Sequence, residues 1–442
     1  MAILGRAGYG PRSMLDRLRR DPLLAALVIG LGAEILFLVH LGWPDRLVFD
    51  EIHYVPAARA MLALNRPLNT EHPLLAKEFI AAGIALFGDN PLGWRFFATL
   101  AGTATVLAGY WMLWLLFARV RTAAFGALLI AVNQMVYVQA RIAMIDIYLG
   151  AFVMLAAAGF VWAMEAPPEC VKPRLILTGT LLGLATAAKW AAVPYIVFAG
   201  IAFLLVRWRD AALAGRPAIS ALTDGAHPHW RGTGTVPAML LIGGTSIIVY
   251  FLTFAPQFFY AHDPLTLRWL LPFQQAMFDA QTQVLRSHPY QSAWWTWPLV
   301  IRPIWYFYEP DGGVWRGVLL IGNPVVMWGG LAAVAACLFA GLRDRAARPL
   351  ALALFWIASL GIWAIIPKSL GFYYYYHLSG VIICLCLAAA FHHFARGRFA
   401  KADEWFAIPA IAVFLYFYPV LSAQPLGGEG AFNHWMLFDS WR

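Results

Sequence analysis

Two adjacent carboxylates, Asp50 and Glu51, stand in the run Phe49-Asp50-Glu51-Ile52-His53-Tyr54. Adjacent acids suit a helix N-terminus, whose dipole favours negative charge. They also suit base chemistry, because a carboxylate partly withdrawn from water has a raised pKa and is a better base at neutral pH. A second titratable group follows in Glu71-His72-Pro73-Leu74-Leu75-Ala76-Lys77-Glu78, which reads equally as a solvated helix start. Arg141 and Asp146 lie between two apolar runs, and Lys189 stands in Ala187-Ala188-Lys189-Trp190 with apolar residues on both sides. An ammonium ion there must reach water or meet an anion. The anion expected is a substrate phosphate. The densest cluster is His288-Pro289-Tyr290-Gln291-Ser292-Ala293-Trp294-Trp295-Thr296-Trp297-Pro298, followed by Arg302. Lys368 and the run Tyr373-Tyr374-Tyr375-Tyr376-His377 come later. Flat aromatic faces beside hydrogen-bonding side chains suit a sugar or a lipid head group.

These residues need elements to hold them on one side of something. Of 442 residues, 61% are hydrophobic and only 12% charged, with a mean hydropathy of +0.66. That charged share is about half that of a soluble domain. It excludes a soluble enzyme, a disordered chain and a disulfide scaffold. The apolar runs are continuous rather than alternating, which excludes a membrane β-barrel. The chain therefore reads as an all-α polytopic membrane protein. Runs of roughly 20 apolar residues place about eleven spans near 23–42, 96–117, 123–139, 147–164, 175–190, 192–207, 236–255, 318–340, 350–366, 372–394 and 405–422. Cys170, Cys337, Cys384 and Cys386 read as small packing residues, with no CxxC spacing among them.

Basic residues orient the spans. With the N-terminus in the cytoplasm, 19 of the 32 Lys and Arg fall in cytoplasmic segments, among them Arg6, Arg12, Arg17, Arg19 and Arg20, then Arg119, Arg121, Arg207 and Arg343. The net charge of +9 is thus a matter of topology and anionic lipid, not of nucleic acid. The C-terminus then lies outside. Two long external loops emerge, 43–95 and 256–316. Both carry stretches with apolar residues at helical spacing, Tyr54–Leu64 and 262–286, read as helices lying on the membrane surface. Loop 208–235 reads as a plain polar connector. The chain divides into an N-terminal catalytic membrane region (1–255), an external loop region (256–317) and a C-terminal four-span region (318–442). Every chemistry-bearing cluster falls on the external side, a layout for chemistry on a lipid-linked phosphate.

The clusters resemble the protein O-mannosyltransferase family, glycosyltransferase family 39 of the GT-C class. Asp50-Glu51 with His53 is similar to its Asp-Glu motif, and His72-Pro73 with Lys77 to its His-Pro-Pro-x-Gly-Lys segment, with Leu74 and Ala76 replacing the second Pro and the Gly. Arg95, Arg141 with Asp146, and Lys189-Trp190 match in order. The run His288-Pro289-Tyr290 to Trp297-Pro298 resembles the start of the family's C-terminal region. Eukaryotic members carry a lumenal β-trefoil domain between spans seven and eight. The loop here has about 60 residues, so the resemblance is to a bacterial-type member.

The resemblance implies a GT-C fold and an inverting transfer of mannose from a polyprenyl-phosphate-mannose donor to Ser or Thr hydroxyls of exported proteins. It implies Asp50 and Glu51 as catalytic residues. It implies Arg95, Arg141, Lys189, Arg302 and Lys368 as candidates for the donor phosphate. It implies His53, His72, Lys77, Asp146, His288, Tyr290, Gln291 and Trp297 as substrate-binding. No metal or other cofactor is expected, since several cations face the site and no Asp-x-Asp motif appears. The expected setting is a bacterial inner membrane, with the export translocon as a candidate partner. A GT-C transferase with another lipid-linked sugar or a glycolipid acceptor is the alternative. A lipid or solute transporter fits less well, because its charges would lie near mid-span in matching halves.

Overall fold

The computed structural model describes Leu18 and residues 20–442. Arg6, Arg12, Arg17 and Arg19, used above for orientation, lie outside the described residues.

Helices dominate, and polar caps followed by proline start several of them. The first, α1 (Pro22–Leu38), is capped by Asp21, whose carboxylate accepts the Leu23 and Leu24 N–H groups. Asn90 caps α4 (Pro91–Phe117) in the same way. Proline at the first helical position gives up an N–H that has no intrahelical partner anyway. Between these spans lie two loop helices, α2 (Glu51–Leu62) and α3 (Leu75–Phe87). Helix α3 seats against the start of α4 through two glycines: a Cβ on Gly83 would lie 2.1 Å from the Gly93 carbonyl oxygen.

Next come α5 (Val120–Ala131), α6 (Gln134–Gln139), α7 (Asp146–Met164), α8 (Pro168–Ala188) and α9 (Val193–Leu213). Span α10 (Thr235–Phe259) includes a π turn at Leu240–Gly244, and α11 (Leu270–Gln281) lies in the second long loop. The C-terminal region holds α12 (Pro324–Arg343), α13 (Ala347–Gly361), α14 (His377–Phe394) and α15 (Ala402–Leu421). Eight of the described helices are long and apolar enough to cross a membrane, and α1 and α5 are shorter apolar ones. All eleven stretches read from hydropathy are mainly helical. The loop helices expected within 54–64 and 262–286 are present as α2 and α11.

Three features differ from the sequence reading. The stretch 123–139 is broken at Val132 and Asn133, where buried Asn323 donates to the Val132 and Ala410 carbonyls. The second long loop, 256–316, contains an antiparallel hairpin, β1 (Ile304–Asp311) and β2 (Val314–Leu320), turned by Gly312 and Gly313 at φ 61° and 79°. Residues 318–320 therefore complete a strand, and the following span starts at Pro324. Their apolar run belongs to a buried strand, which hydropathy alone does not separate from a span. Finally, 208–235 is an ordered cap, not a plain connector. Arg207 is fully buried and donates to the Asp224, Trp230 and Thr233 carbonyls, while Asp210 pairs with His229 at 2.8 Å.

The hairpin ties distant parts of this loop face together. The Asp45 N–H donates to Asp311 at 2.9 Å, and Arg316 stacks on Trp43 at 3.9 Å while donating to the Ala423 carbonyl. Helix α4 runs from this face to the opposite one, where Arg121 pairs with Asp403 and Glu404.

Candidate active site

Asp50 and Glu51 are neighbours with opposite fates. Glu51 is fully buried. Its carboxylate takes Arg95 in a two-point pair at 2.8 and 2.9 Å and accepts the Val48 and Ala143 N–H groups. Arg95 donates its remaining hydrogens to the Leu41, Pro44 and Arg46 carbonyls. A guanidinium has five donors, and all five of Arg95 are engaged with no exposed surface. The pair is the clasp of the first loop. This corrects the reading of Glu51 as catalytic and of Arg95 as a phosphate ligand.

Asp50 has no salt bridge and no backbone donor. Its one polar side-chain contact is the Tyr54 hydroxyl at 3.5 Å, one turn along α2. Burial pushes its carboxyl up to about 6; Lys189 opposes the shift, Asp146 adds to it, and His53 and the Tyr54 hydroxyl oppose it. His53 is exposed on the same helix. Asp50 is thus a carboxylate that keeps its lone pairs free, held where its basicity suits neutral pH.

Asp146 and Lys189, both close enough to act on the Asp50 carboxyl, form the second half of the cluster. Helix α8 ends at Ala188, and Lys189 is extended (φ −161°, ψ 134°), which carries its side chain across to the first turn of α7. Its Nζ donates to both Asp146 oxygens at 2.7 and 2.9 Å. The phosphate expected as its resting anion is therefore replaced by a carboxylate of the protein. The ammonium also lies 5.2 and 4.9 Å from the Tyr374 and Tyr375 ring centroids. Two of its three hydrogens are engaged, leaving one toward those rings.

Lys368 is the other cation near this pair. Its Nζ donates only to the Gln281 carbonyl at 2.9 Å. Burial, together with Lys189 nearby, lowers its pKa to about 8. His72 belongs here too. It lies against Tyr54, 6.0 Å between ring centroids, and burial with Lys189, Lys77 and Lys368 nearby holds it well below the usual histidine range. Its Nδ1 is buried without a partner, as is Asn69 Oδ1.

The remaining expected residues are engaged with other partners. Lys77 is buried and donates to the Asn69 and His72 carbonyls at 2.7 and 2.8 Å, so it shapes the His72 loop rather than binding substrate. Arg141 donates to the Phe37 and Val39 carbonyls at the end of α1 and stacks on Tyr137, a helix-end role that corrects its phosphate assignment. Arg302 donates to the Pro289, Ser440 and Arg442 carbonyls and faces Tyr290 at 5.6 Å, anchoring the C-terminal tail rather than a phosphate. Trp297 is buried against Trp363 and Tyr375, with its N–H on Ser292. It supports the tyrosines from behind. His288 packs on Phe372, Gln291 forms an isolated bridge to Phe372, and Tyr290 faces Arg302.

The sequence gives Tyr54 no role of its own and offers Tyr306, Tyr374 and Tyr375 only as parts of aromatic patches. Tyr54 was findable, being four residues from Asp50 on a helix and so on one face. Tyr306 reaches Phe49, the neighbour of Asp50, through a strand irregularity that no spacing rule reveals. Among the described residues no three His, Cys, Asp or Glu side chains are grouped as a metal site requires.

Two sequence-family models cover most of the chain. The model for dolichyl-phosphate-mannose-protein mannosyltransferase matches residues 87–231, and that for the C-terminal four-span region of protein-O-mannosyltransferase matches residues 266–441. The chain belongs to the protein O-mannosyltransferase family. It is 25% identical to a polyprenol-phosphate-mannose–protein mannosyltransferase of Mycobacterium tuberculosis, over 99% of this chain and 94% of that one. In shape it is similar to the Saccharomyces cerevisiae protein O-mannosyltransferase Pmt1–Pmt2 complex bound to the sugar donor, with a TM-score of 0.79 and 14% identity over 98% of this chain and 94% of that one. ArnT from Cupriavidus metallidurans bound to undecaprenyl phosphate is less similar, with a TM-score of 0.55 and 18% identity over 90% of this chain and 65% of that one. The GT-C fold expected from the motifs is the fold observed. The family, the mostly helical chain and its apolar spans identify a multi-pass membrane glycosyltransferase.

Proposed function

We propose that the chain moves mannose from a polyprenyl-phosphate-mannose donor to Ser or Thr hydroxyls of exported proteins, with inversion at the anomeric carbon. The observation that carries this reading is the free Asp50 carboxylate beside the Lys189–Asp146 pair. Asp50 accepts the proton of the acceptor hydroxyl. The hydroxyl oxygen attacks the anomeric carbon, the bond from that carbon to the phosphate oxygen breaks, and the lipid phosphate leaves with the electron pair. Charge on the leaving phosphate grows in the transition state, so cations placed there favour the transition state over the bound donor. Of the five cations expected from the sequence, Lys189 acts on Asp50 and Lys368 lies near Lys189, each with hydrogens left over for this role, whereas Arg95 has every donor engaged, Arg141 sits by Tyr137 and Tyr418 at the end of α1, and Arg302 holds the C-terminal tail. His72 and the exposed His53 fit contacts to sugar or acceptor.

Purified protein incubated with polyprenyl-phosphate mannose and a Ser/Thr-rich peptide should give mannosylated peptide. No metal is assigned a role, so EDTA should leave the rate within about twofold. Transfer only to a glycolipid, or only from another lipid-linked sugar, overturns the substrate assignment. A rate abolished by EDTA and restored by Mn or Mg overturns metal independence.

The site faces outward across a bacterial inner membrane, with eleven crossings, a cytoplasmic N-terminus and acceptors delivered by the export machinery. Ala293→Cys should react with an impermeant thiol reagent in cells whose outer membrane alone is permeabilised. Cys170, at the opposite face and partly exposed, should react only after lysis. The reverse pattern overturns the orientation.

A further inference from the structure

Asp50 has almost nothing of its own to hold its direction: among the described residues its side chain makes one hydrogen bond, with the Tyr54 hydroxyl at 3.5 Å. Its aim is set by the backbone just before it. That backbone is irregular: Phe49 sits at φ +49°. A bulky residue in the left-handed region persists only where its surroundings over-determine it. On one side Val48 is buried, and its N–H is held by Glu51 at 2.9 Å. On the other, the Phe49 ring stacks on Tyr306, with centroids 4.1 Å apart and planes 18° apart, and meets the edge of Tyr374 at 5.9 Å.

Tyr306 is irregular as well. In the β1–β2 ladder Trp305 pairs with Leu319 and Phe307 with Val318, so Tyr306 is the extra residue of a bulge. A bulge re-aims a side chain out of the pleat. Here the side chain is buried, with its hydroxyl accepting from Gln139 at 3.3 Å. Two departures from regular backbone, from loops more than 250 residues apart, thus meet in one ring stack beside the base. Tyr374, at its edge, also carries the Lys189 ammonium over its face.

We propose that Tyr306 is a positioning residue, whose ring locks Phe49 in the left-handed turn that aims Asp50 at the acceptor hydroxyl. This rests on the reading of Asp50 as the base. A misplacement of the order of 1 Å costs roughly 100-fold in rate. Tyr306→Leu should therefore lower kcat by roughly 10- to 100-fold while KM for polyprenyl-phosphate mannose stays within about threefold. Tyr306→Phe keeps the ring and should retain kcat within about threefold. Phe49→Leu combined with Tyr306→Leu should fall no further than either alone, since both remove the same stack. Phe49→Gly relieves the turn and removes the ring together, so it serves if Tyr306→Leu does not fold. It should show the same loss of kcat. Full kcat in Tyr306→Leu or Phe49→Gly overturns the proposal, as does an equal loss in Tyr306→Phe or a loss confined to KM. Asp50→Asn in the same assay separates the two readings. If it retains turnover, the base assignment fails; if it is inactive while Tyr306→Leu is fully active, the brace alone fails.

Discussion

Asp50→Asn should lower kcat by at least about 100- to 1,000-fold, the range of a lost general base, and leave expression and thermal stability near those of the parent chain. Both halves follow from the same geometry. Asp50 makes no salt bridge and accepts no backbone N–H, so replacing one oxygen by an amide breaks nothing that holds the fold. The amide cannot accept the acceptor proton. Glu51→Gln tests the contrast one residue along: it unbalances the buried Arg95 clasp, and breaking such a pair costs about 3–5 kcal/mol. Against a net stability of about 5–15 kcal/mol, that variant should be lost through folding rather than chemistry. The pH dependence carries a sign. The base works ionised, and burial raises its pKa to about 6, so turnover should fall as pH drops through about 6. Lys189 opposes that shift, Asp146 adds to it, and His53 and Tyr54 oppose it, so the position of the limb reports on all four groups around Asp50. Near-parental turnover in Asp50→Asn removes Asp50 as base. An acid limb near 4 shows a solvated carboxylate instead.

The spans were legible because lipid imposes one rule on all of them: a run of roughly 20 apolar residues closes its own backbone hydrogen bonds. What the sequence did not disclose was the division of labour among like charges. Arg95, Arg141, Lys189, Arg302 and Lys368 all looked alike as cations at span ends. Three of them donate to carbonyls of Leu41, Phe37 and Ser440, residues far away in sequence. A carbonyl leaves no mark in a side-chain pattern, so such partners are invisible until the chain is folded. The same holds for Asp50 and Glu51. Which of two adjacent acids meets Arg95 depends on the helical turn that begins between them. The hairpin escaped notice because its second strand, ending in Val318-Leu319-Leu320, is apolar enough to read as the start of a span.

Lys189→Met should lose transfer altogether, but for two reasons that a single variant confounds. Removing the ammonium strips the charge from the leaving phosphate's neighbourhood, and it also leaves Asp146 buried with no partner. The second effect costs about 3–5 kcal/mol, enough to deplete the folded protein. Pairing the change with Asp146→Leu separates them, because replacing both members of a buried ion pair by apolar residues is often neutral or stabilising. If the pair only links α7 to the end of α8, the Lys189→Met, Asp146→Leu protein folds and keeps near-parental turnover, and the phosphate role is gone. If Lys189 offsets the leaving charge, the double variant folds yet stays inactive. Its affinity for polyprenyl phosphate, measured without acceptor, then falls as well. Lys368 should not restore it. Its ammonium is partly buried, holds the Gln281 carbonyl and loses its proton near pH 8, so it supplements the charge at Lys189 without replacing it.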